Sequence, residues 1–235
     1  MEGVLALLRD PSRLSYLPEL MKIENNQNDY FKNVTDQEMN TLELFCFGTF
    51  EDYFKYKSSY LDIPSDRELL LKLLRLTVIS VSNDYEKFVL NIEQLLENKE
   101  YGLAGGLELL KLSDNSGDIE NELLFEEVLI SMVDDGILSA KVDDENRTIH
   151  IVKAHVLRDS YSPALHSLLV LTEQDVAKRS VAIAAETLSE WYSTKLVPLR
   201  QEYEVIEVDD ITLVVPNEEL DCTNTRKRKT PDQTT

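Results

Sequence analysis

The chain is poor in glycine and cysteine, and it has no long apolar run. Its 235 residues include 7 glycines and 2 cysteines. Scarce glycine beside plentiful aliphatic residues favours a mainly helical protein. Cys46 has apolar neighbours and Cys222 polar ones, which indicates reduced thiols of an intracellular protein rather than a disulfide framework. We expect neither a membrane span nor a secretory leader, because no apolar run approaches about 18 residues and no basic segment opens the chain.

Basic residues are also few. There are 24 Lys and Arg against 44 Asp and Glu, a formal charge of −20. Four of these bases form one run, Arg226, Lys227, Arg228 and Lys229, which leaves 20 basic against 44 acidic residues elsewhere. Phosphate contacts supply most affinity for nucleic acid, so we expect no nucleic-acid partner. The run resembles a nuclear-import signal, although short basic runs also arise by chance.

No pattern typical of an active site is present. The histidines are His150, His155 and His166, and they form neither a His-x-His nor a His-Glu-x-x-His metal motif. A phosphate-binding glycine loop and a nucleophile elbow are also missing. His150 and His155 are five residues apart, which places them on opposite faces of an extended strand. We therefore predict a protein that is not an enzyme and has no metal or cofactor.

The first hundred residues predict a stack of helices. Short helical pieces broken by Pro11 and Pro18 precede a helix over residues 36–47 that ends at Gly48, and Thr49 then caps an aromatic-rich helix. Ser65 or Asp66 caps a helix that is apolar on nearly every side and should therefore be buried. Residues 88–96 and 103–112 predict two shorter helices, the second weakened by Gly105 and Gly106. The aromatic residues of 45–60 are interpreted as packing between these helices.

Residues 119–152 predict the second half of a winged-helix domain. A helix ends at Gly136, where positive φ is needed, and two alternating runs follow around a turn at residues 143–146. The predicted core face of the helix carries the apolar residues Ile119, Leu123, Ile130 and Val133, broadened by Leu124, Val128 and Leu129. No Lys or Arg occurs between Asp118 and Ala140.

A long C-terminal helix is predicted from Thr172, in a capping motif with Asp175, to Ile206. Apolar residues three or four apart form its stripe, and Pro198 should kink it. The stripe consists of Val181, Ala185, Leu188, Tyr192, Leu196, Leu199, Tyr203 and Ile206. A helix about 50 Å long needs partner helices to cover such a stripe.

Four stretches of the chain, in order, carry a resemblance to a known family. They are Phe45-Cys-Phe-Gly-Thr-Phe-Glu-Asp-Tyr53 with Leu73-Leu-Arg-Leu-Thr-Val-Ile-Ser-Val81, then Leu123 to Asp143, then Leu188-Ser-Glu-Trp191. Helical repeats, a winged helix and a long last helix are the order of PCI-domain proteins, and these motifs resemble the family of COP9 signalosome subunit seven. Ser139-Ala140 in place of a glycine, and apparent insertions at 113–118 and 160–171, favour a divergent member of fungal type.

The resemblance implies a non-catalytic scaffold subunit of a complex that removes the modifier Nedd8 from cullins. The implied partners are other PCI-domain and metalloprotease-type subunits, and indirectly cullin-based ubiquitin ligases, in nucleus and cytoplasm. In that family winged helices line up edge to edge and the last helices form a bundle. The predicted partner-binding residues of the wing are Leu138, Ala140, Val142, Thr148, His150 and Val152. Those of the last helix are Leu188, Trp191, Tyr192, Leu196, Leu199 and Tyr203.

The predicted organisation is a mainly α PCI architecture in four parts. Residues 1–100 form the helical-repeat part, 101–157 the winged helix, 158–207 the assembly helix, and 208–235 a flexible tail. Two alternatives stay open: a subunit of the proteasome lid or of translation initiation factor three, and a winged-helix nucleic-acid-binding regulator that reads with residues 123–133. The acidic residues of that helix count against the regulator.

Overall fold

A computed structural model describes residues 3–24, 34–114 and 119–200 of the chain. These residues are mainly α-helical, with one small antiparallel sheet. The helices are α1 Val4–Arg9, α2 Leu17–Glu24, α3 Asp36–Phe47, α4 Phe50–Lys55, α5 Arg67–Asp84, α6 Ile92–Glu97, α7 Leu103–Asp114, α8 Asn121–Asp134 and α9 Val181–Trp191. The strands are β1 Val89–Asn91, β2 Leu138–Asp143 and β3 Thr148–Ala154.

The chain divides into two compact units between Thr187 and Leu188. The first unit contains the helices α1 to α8 and the sheet, around one continuous apolar core. The second begins within α9 and continues through a π-helical segment, Tyr192–Leu196. No helix in the described ranges is both long enough and apolar enough to cross a membrane.

The predicted helix boundaries around α3, α4 and α5 are confirmed. Thr35 and Glu38 form a reciprocal capping box at the start of α3, and Gly48 ends that helix. Asp66 is the N-cap of α5, because its carboxylate accepts hydrogen bonds from the backbone N–H of residues 68 and 69. Local side-chain chemistry sets these ends, so the sequence could predict them.

Helix α5 is the buried centre of the first unit, as predicted. Twelve of its 18 residues are buried. Its buried hydroxyl groups donate to carbonyl oxygens four residues earlier, as Thr77 does to Leu73 at 2.9 Å and Ser82 to Val78 at 2.9 Å. These polar groups are therefore satisfied within the helix and leave its surface free to pack.

The two glycines of α7 have a packing role that the sequence did not reveal. A Cβ added at Gly105 would lie 2.6 Å from the ring of Phe54, and one at Gly106 would lie 2.7 Å from the ring of Phe50. Helix α4 therefore packs its aromatic rings directly onto the backbone of α7. The prediction that these glycines merely weaken the helix missed this close approach.

The predicted helix over residues 88–96 is wrong in its first part. Residues 89–91 form strand β1, and α6 begins at Ile92 with Asn91 as its cap. Strand β1 pairs antiparallel with β3, so the sheet has the order β1-β3-β2. Phe88 and Val89 are consequently exposed, at 60% and 63%. A three-residue strand is too short to show a period in the sequence.

The predicted core face of α8 is confirmed only in part. Leu124, Val128 and Leu129 are buried as predicted, together with Phe125 and Met132, whereas Leu123, Ile130 and Val133 are exposed. The helix carries apolar residues on two sides, and the side with Phe125 and Met132 faces the core. Periodicity identifies apolar faces, but only the packing partner selects between two of them.

Candidate protein-interaction surfaces

The hairpin that follows α8 is confirmed. Gly136 has φ of +70°, as predicted, and the N–H of Ile137 donates to the carbonyl of Met132 at 2.9 Å. Strands β2 and β3 pair from Leu138 opposite Ala154 to Asp143 opposite Thr148. The helix end and the hairpin are thus joined by a short, hydrogen-bonded connection.

The sheet offers one long unpaired edge within the described residues. Strand β3 lies in the centre, where β1 occupies one side of its residues 148–150 and β2 the other. The predicted wing residues divide between these two strands. Thr148, His150 and Val152 belong to the central strand, so of the two wing strands only β2 has a free backbone edge that another strand could extend.

The six predicted wing residues do not share a face. Directly opposed residues of an antiparallel pair lie on the same side of a sheet. Val142 is opposite the buried Ile149, whereas His150 is opposite Lys141 on the other side. Leu138 is only 2% exposed and belongs to the core. Between Ser139 and Ala140 the register shifts, a bulge that increases the local twist of this edge.

Helix α9 has no buried residue. The predicted partner-binding residues of α9 and of the helical segment that continues it, called here the α9 stripe, are solvent-exposed: Leu188 at 65%, Trp191 at 51%, Tyr192 at 55%, Leu196 at 40% and Leu199 at 49%. Tyr203 lies outside the described residues, as does the basic run Arg226–Lys229. Exposed apolar side chains repeated along one helix are typical of a surface that a partner covers.

The predicted interruption near Pro198 takes the form of a π-helical segment. The N–H of Val197 donates to the carbonyl of Tyr192, five residues earlier. Proline has no N–H to donate and clashes with the carbonyl four residues before it. The widened turn at Tyr192–Leu196 precedes the proline and accommodates this defect.

The last helix begins later than predicted, at Val181 rather than Thr172. Thr172 does form the capping interaction, because its N–H and hydroxyl both donate to Asp175 at 2.8 and 2.7 Å. However, Asp175 also accepts from Lys55 at 2.7 Å and from Tyr56 at 3.0 Å. These bonds fix the motif against the end of α4, and only a short 3-10 turn, Ala177–Arg179, follows it.

Residues 158–180 form a strap over the N-terminal helices. Two arginines of this strap donate to four successive carbonyls at the C-terminal end of α3. Arg158 Nη2 contacts the carbonyls of Phe45, Cys46 and Gly48, each at 3.0 Å, and Arg179 Nε contacts that of Phe47 at 2.6 Å. Cations satisfy the unpaired carbonyls and the negative end of a helix. Burial, followed by the proximity of Arg179, lowers the pKa of Arg158.

A buried ionic group completes the attachment of the strap. His166 lies between Glu43, at 2.7 Å from Nε2, and Glu24, at 2.8 Å from Nδ1. Glu43 also accepts from the backbone N–H groups of residues 169–171 at 2.6 to 3.0 Å. Because both ring nitrogens face carboxylates, the protonated imidazolium is the form that satisfies both.

The pKa shifts within this group follow from its geometry. Burial acts to raise the pKa of Glu43, but the hydrogen bonds from His166 and the three backbone N–H groups outweigh it, and the pKa lies below its ordinary value. Burial acts to lower the pKa of His166, but the bonds to Glu43 and Glu24 raise it above its ordinary value. The geometry and both shifts therefore favour the charged forms of Glu43 and His166.

One sequence signal could have indicated this attachment. Glu43 interrupts the apolar run Leu42–Phe47 of α3, and a carboxylate inside a buried helix needs partners. The sequence could not name those partners, since His166 and the N–H groups of residues 169–171 lie more than a hundred residues away. Among the described residues, no group of three or more histidine, cysteine or acidic side chains could hold a metal ion.

Comparison of the sequence with models of known protein families gives no match. Comparison with curated proteins gives none either. The two surfaces described above, the β2 edge and the apolar stripe of α9, therefore rest on their own geometry.

Proposed function

We propose that this chain is a non-catalytic assembly subunit of the COP9 signalosome, built as a divergent PCI domain whose winged helix comprises α6 to β3. One observation carries the proposal, namely the order of elements in the second half of the chain. A hairpin directly follows α8, and the last described element is a helix whose apolar stripe is exposed. Helical layers, a hairpin with a free edge, and an uncovered helix are what a subunit that binds its neighbours requires.

In this proposal the subunit binds other PCI-domain and metalloprotease-type subunits through two surfaces. The edge of β2 pairs with the winged helix of one neighbour, and α9 joins a bundle of C-terminal helices. Its effect on cullin-based ubiquitin ligases is indirect, because a partner metalloprotease removes Nedd8. The protein works in nucleus and cytoplasm, and the run Arg226–Lys229 serves its import.

The function is tested by purifying a tagged copy and identifying the proteins that accompany it. We expect signalosome subunits in stoichiometric amount. Subunits of the proteasome lid or of translation initiation factor three in their place would assign the chain to those complexes. Isolation of the chain without any such subunits would overturn the proposal.

Paired variants link this test to the structure. Replacing Leu188 and Tyr192 by aspartate places charge on the exposed stripe of α9, so we expect loss of the partner subunits without loss of the fold. The matched control is Leu112→Asp on α7, a residue that is 74% exposed and lies outside both surfaces. If the double variant and the control co-purify with the same amounts of partner subunits, α9 is not a partner-binding surface.

The charge on α8 disfavours the alternative function of a nucleic-acid-binding regulator. The outward side of α8 carries Glu126, Glu127 and Asp134, and no base lies on this helix. Phosphates would be repelled from the position that a reading helix must occupy. A gel-shift assay at physiological salt should show no tight binding.

A further inference from the structure

The outward face of α8 is an apolar surface that the described chain leaves uncovered. Leu123 is 52% exposed, Ile130 55% and Val133 37%. They are separated by seven and three residues, so they lie on one side of the helix. The buried residues of α8 lie on its other side, and none of these three side chains is among them. Three large apolar groups in a row on one helix form a patch, which is unlike the scattered single residues of an ordinary surface.

Acidic side chains surround this patch. Glu126, Glu127 and Asp134 lie among the three apolar residues on the same helix, and the turn between β2 and β3 adds Asp144. The pKa of Glu126 is raised above its ordinary value by burial and by the nearby carboxylates of Asp144 and Glu122. Arg147 lowers this pKa, but by less than the other groups raise it. Arg147 is itself paired with Glu122 at 2.7 Å.

We propose that this surface, formed by Leu123, Ile130 and Val133 and bordered by acids, binds an amphipathic helix of another protein that carries Lys or Arg beside its own apolar residues. The apolar groups provide the buried area, and the acids select a basic partner over an acidic one. A partner helix can place anchors at matching intervals along α8. This surface differs from the β2 edge and the α9 stripe, so the inference does not rest on the proposed function.

The negative charge of this surface favours a basic partner helix over a second copy of the chain. A two-fold contact would place the acids of one copy against the same acids of the other, and no base lies between Asp118 and Ala140 to compensate. Like charges facing each other across an interface oppose association. The protein as a whole is acidic, at −20, which disfavours self-association further.

The test uses the full chain and two synthetic helical peptides of about five turns, or ~18 residues at 3.6 residues per turn. Both peptides carry the same leucine stripe, but lysine flanks it in one and glutamate in the other. Fluorescence anisotropy measures their affinities. We expect the lysine peptide to bind and the glutamate peptide not to bind, and we expect binding to weaken as salt rises from about 50 to about 500 mM because salt screens the exposed charges.

Variants locate the binding site. The double variant with Leu123→Ser and Ile130→Ser should bind the lysine peptide about tenfold more weakly, since two apolar anchors are lost. The double variant with Glu126→Lys and Glu127→Lys should also bind this peptide more weakly at low salt. The difference in affinity between variant and parent should shrink at high salt. The matched control is Leu112→Ser on α7, an exposed leucine that lies outside all of these surfaces. It should leave the affinity unchanged.

Three outcomes would overturn the inference. The first is equal binding of both peptides, and the second is an affinity for the lysine peptide that the α8 variants leave unchanged. The third is a stable dimer in sedimentation equilibrium that the α8 variants dissociate, because a second copy would then be the occupant. Circular dichroism spectra of the variants should match the parent, since all the replaced side chains are exposed.

Discussion

Helices α5 and α9 are both rich in apolar residues, yet one is buried and the other exposed. Twelve of the 18 residues of α5 are buried, whereas no residue of α9 is. Their difference lies in the partners that the chain itself supplies. Helices α1, α7 and α8 pack against α5, whereas the described residues of the α9 stripe are solvent-exposed. An apolar helix is stabilised when another surface covers it. Whether the same chain supplies that surface depends on where the helix lies relative to the other elements.

The strap at residues 158–180 sharpens this comparison. It is less apolar than α9 and still contains buried residues, because Arg158 and His166 find complementary groups on α3. Polar anchors have specific partners at set distances, and apolar stripes accept any apolar surface of suitable shape. The chain thus encloses its own polar segment and presents an apolar helix to others.

The largest effect should come from removing a side chain of α5. Leu73→Ala should lower the free energy of unfolding by about 3 kcal/mol, because Leu73 is fully buried and a cavity would remain. The matched change on α9, Leu188→Ala, should alter it by less than about 0.5 kcal/mol. Urea unfolding followed by far-ultraviolet circular dichroism measures both. Similar costs for the two variants would mean that α9 is covered within the isolated chain.

The next largest effect concerns the anchor of the strap. Glu43→Gln should cost about 2 kcal/mol, because His166 loses its buried charged partner and the three backbone donors keep only a neutral acceptor. The control is Glu127→Gln, an exposed residue of α8 for which we expect less than about 0.5 kcal/mol. If both variants unfold at the same urea concentration, the strap is not held by this group.

The pH dependence of the same anchor should be smaller but has a definite sign. The pKa of His166 is raised by folding, so its contribution is complete below its ordinary value of 6.5 and is lost as pH rises through the folded pKa. The pKa of Glu43 is lowered, so its contribution is complete above its ordinary value of 4.5 and is lost as pH falls through the folded pKa.

His166→Asn tests this pH dependence. It should cost about 1.5 kcal/mol near pH 6, as expected for hydrogen bonds to charged groups, and less near pH 8. The measurement is urea unfolding of the parent and the variant at both pH values. A cost that grows as the pH is raised would contradict the assignment of a protonated His166.

The smallest effect should be seen at the tryptophan. Trp191 is the only one in the chain and is 51% exposed on α9, so its emission should change little when the isolated protein unfolds. Iodide should quench it readily in the free chain and much less once a partner covers α9. A large red shift on unfolding would show that Trp191 is already buried.

The sequence predicted what local chemistry controls. The capped starts of α3 and α5, the burial of α5, the end of α8 at Gly136 and the hairpin after it depend on residues within a few positions of one another, and all are confirmed. The predicted exposure of an apolar stripe on the last helix also agrees with the structure. Caps, turns and periodic patterns act over one or two turns of chain, so their signals are contained in short segments.

Only the tertiary structure decided which apolar face of α8 enters the core, which strand of the sheet is central, and where the last helix begins. Each depends on a partner distant in sequence: the core that selects Phe125 over Ile130, the strand β1 that occupies one side of β3, and the helix α3 whose carbonyls and carboxylate hold the strap. Residues this far apart along the chain leave no joint pattern in a single sequence. Their contacts arise only when the elements pack, and that packing determines which surfaces stay exposed for partners.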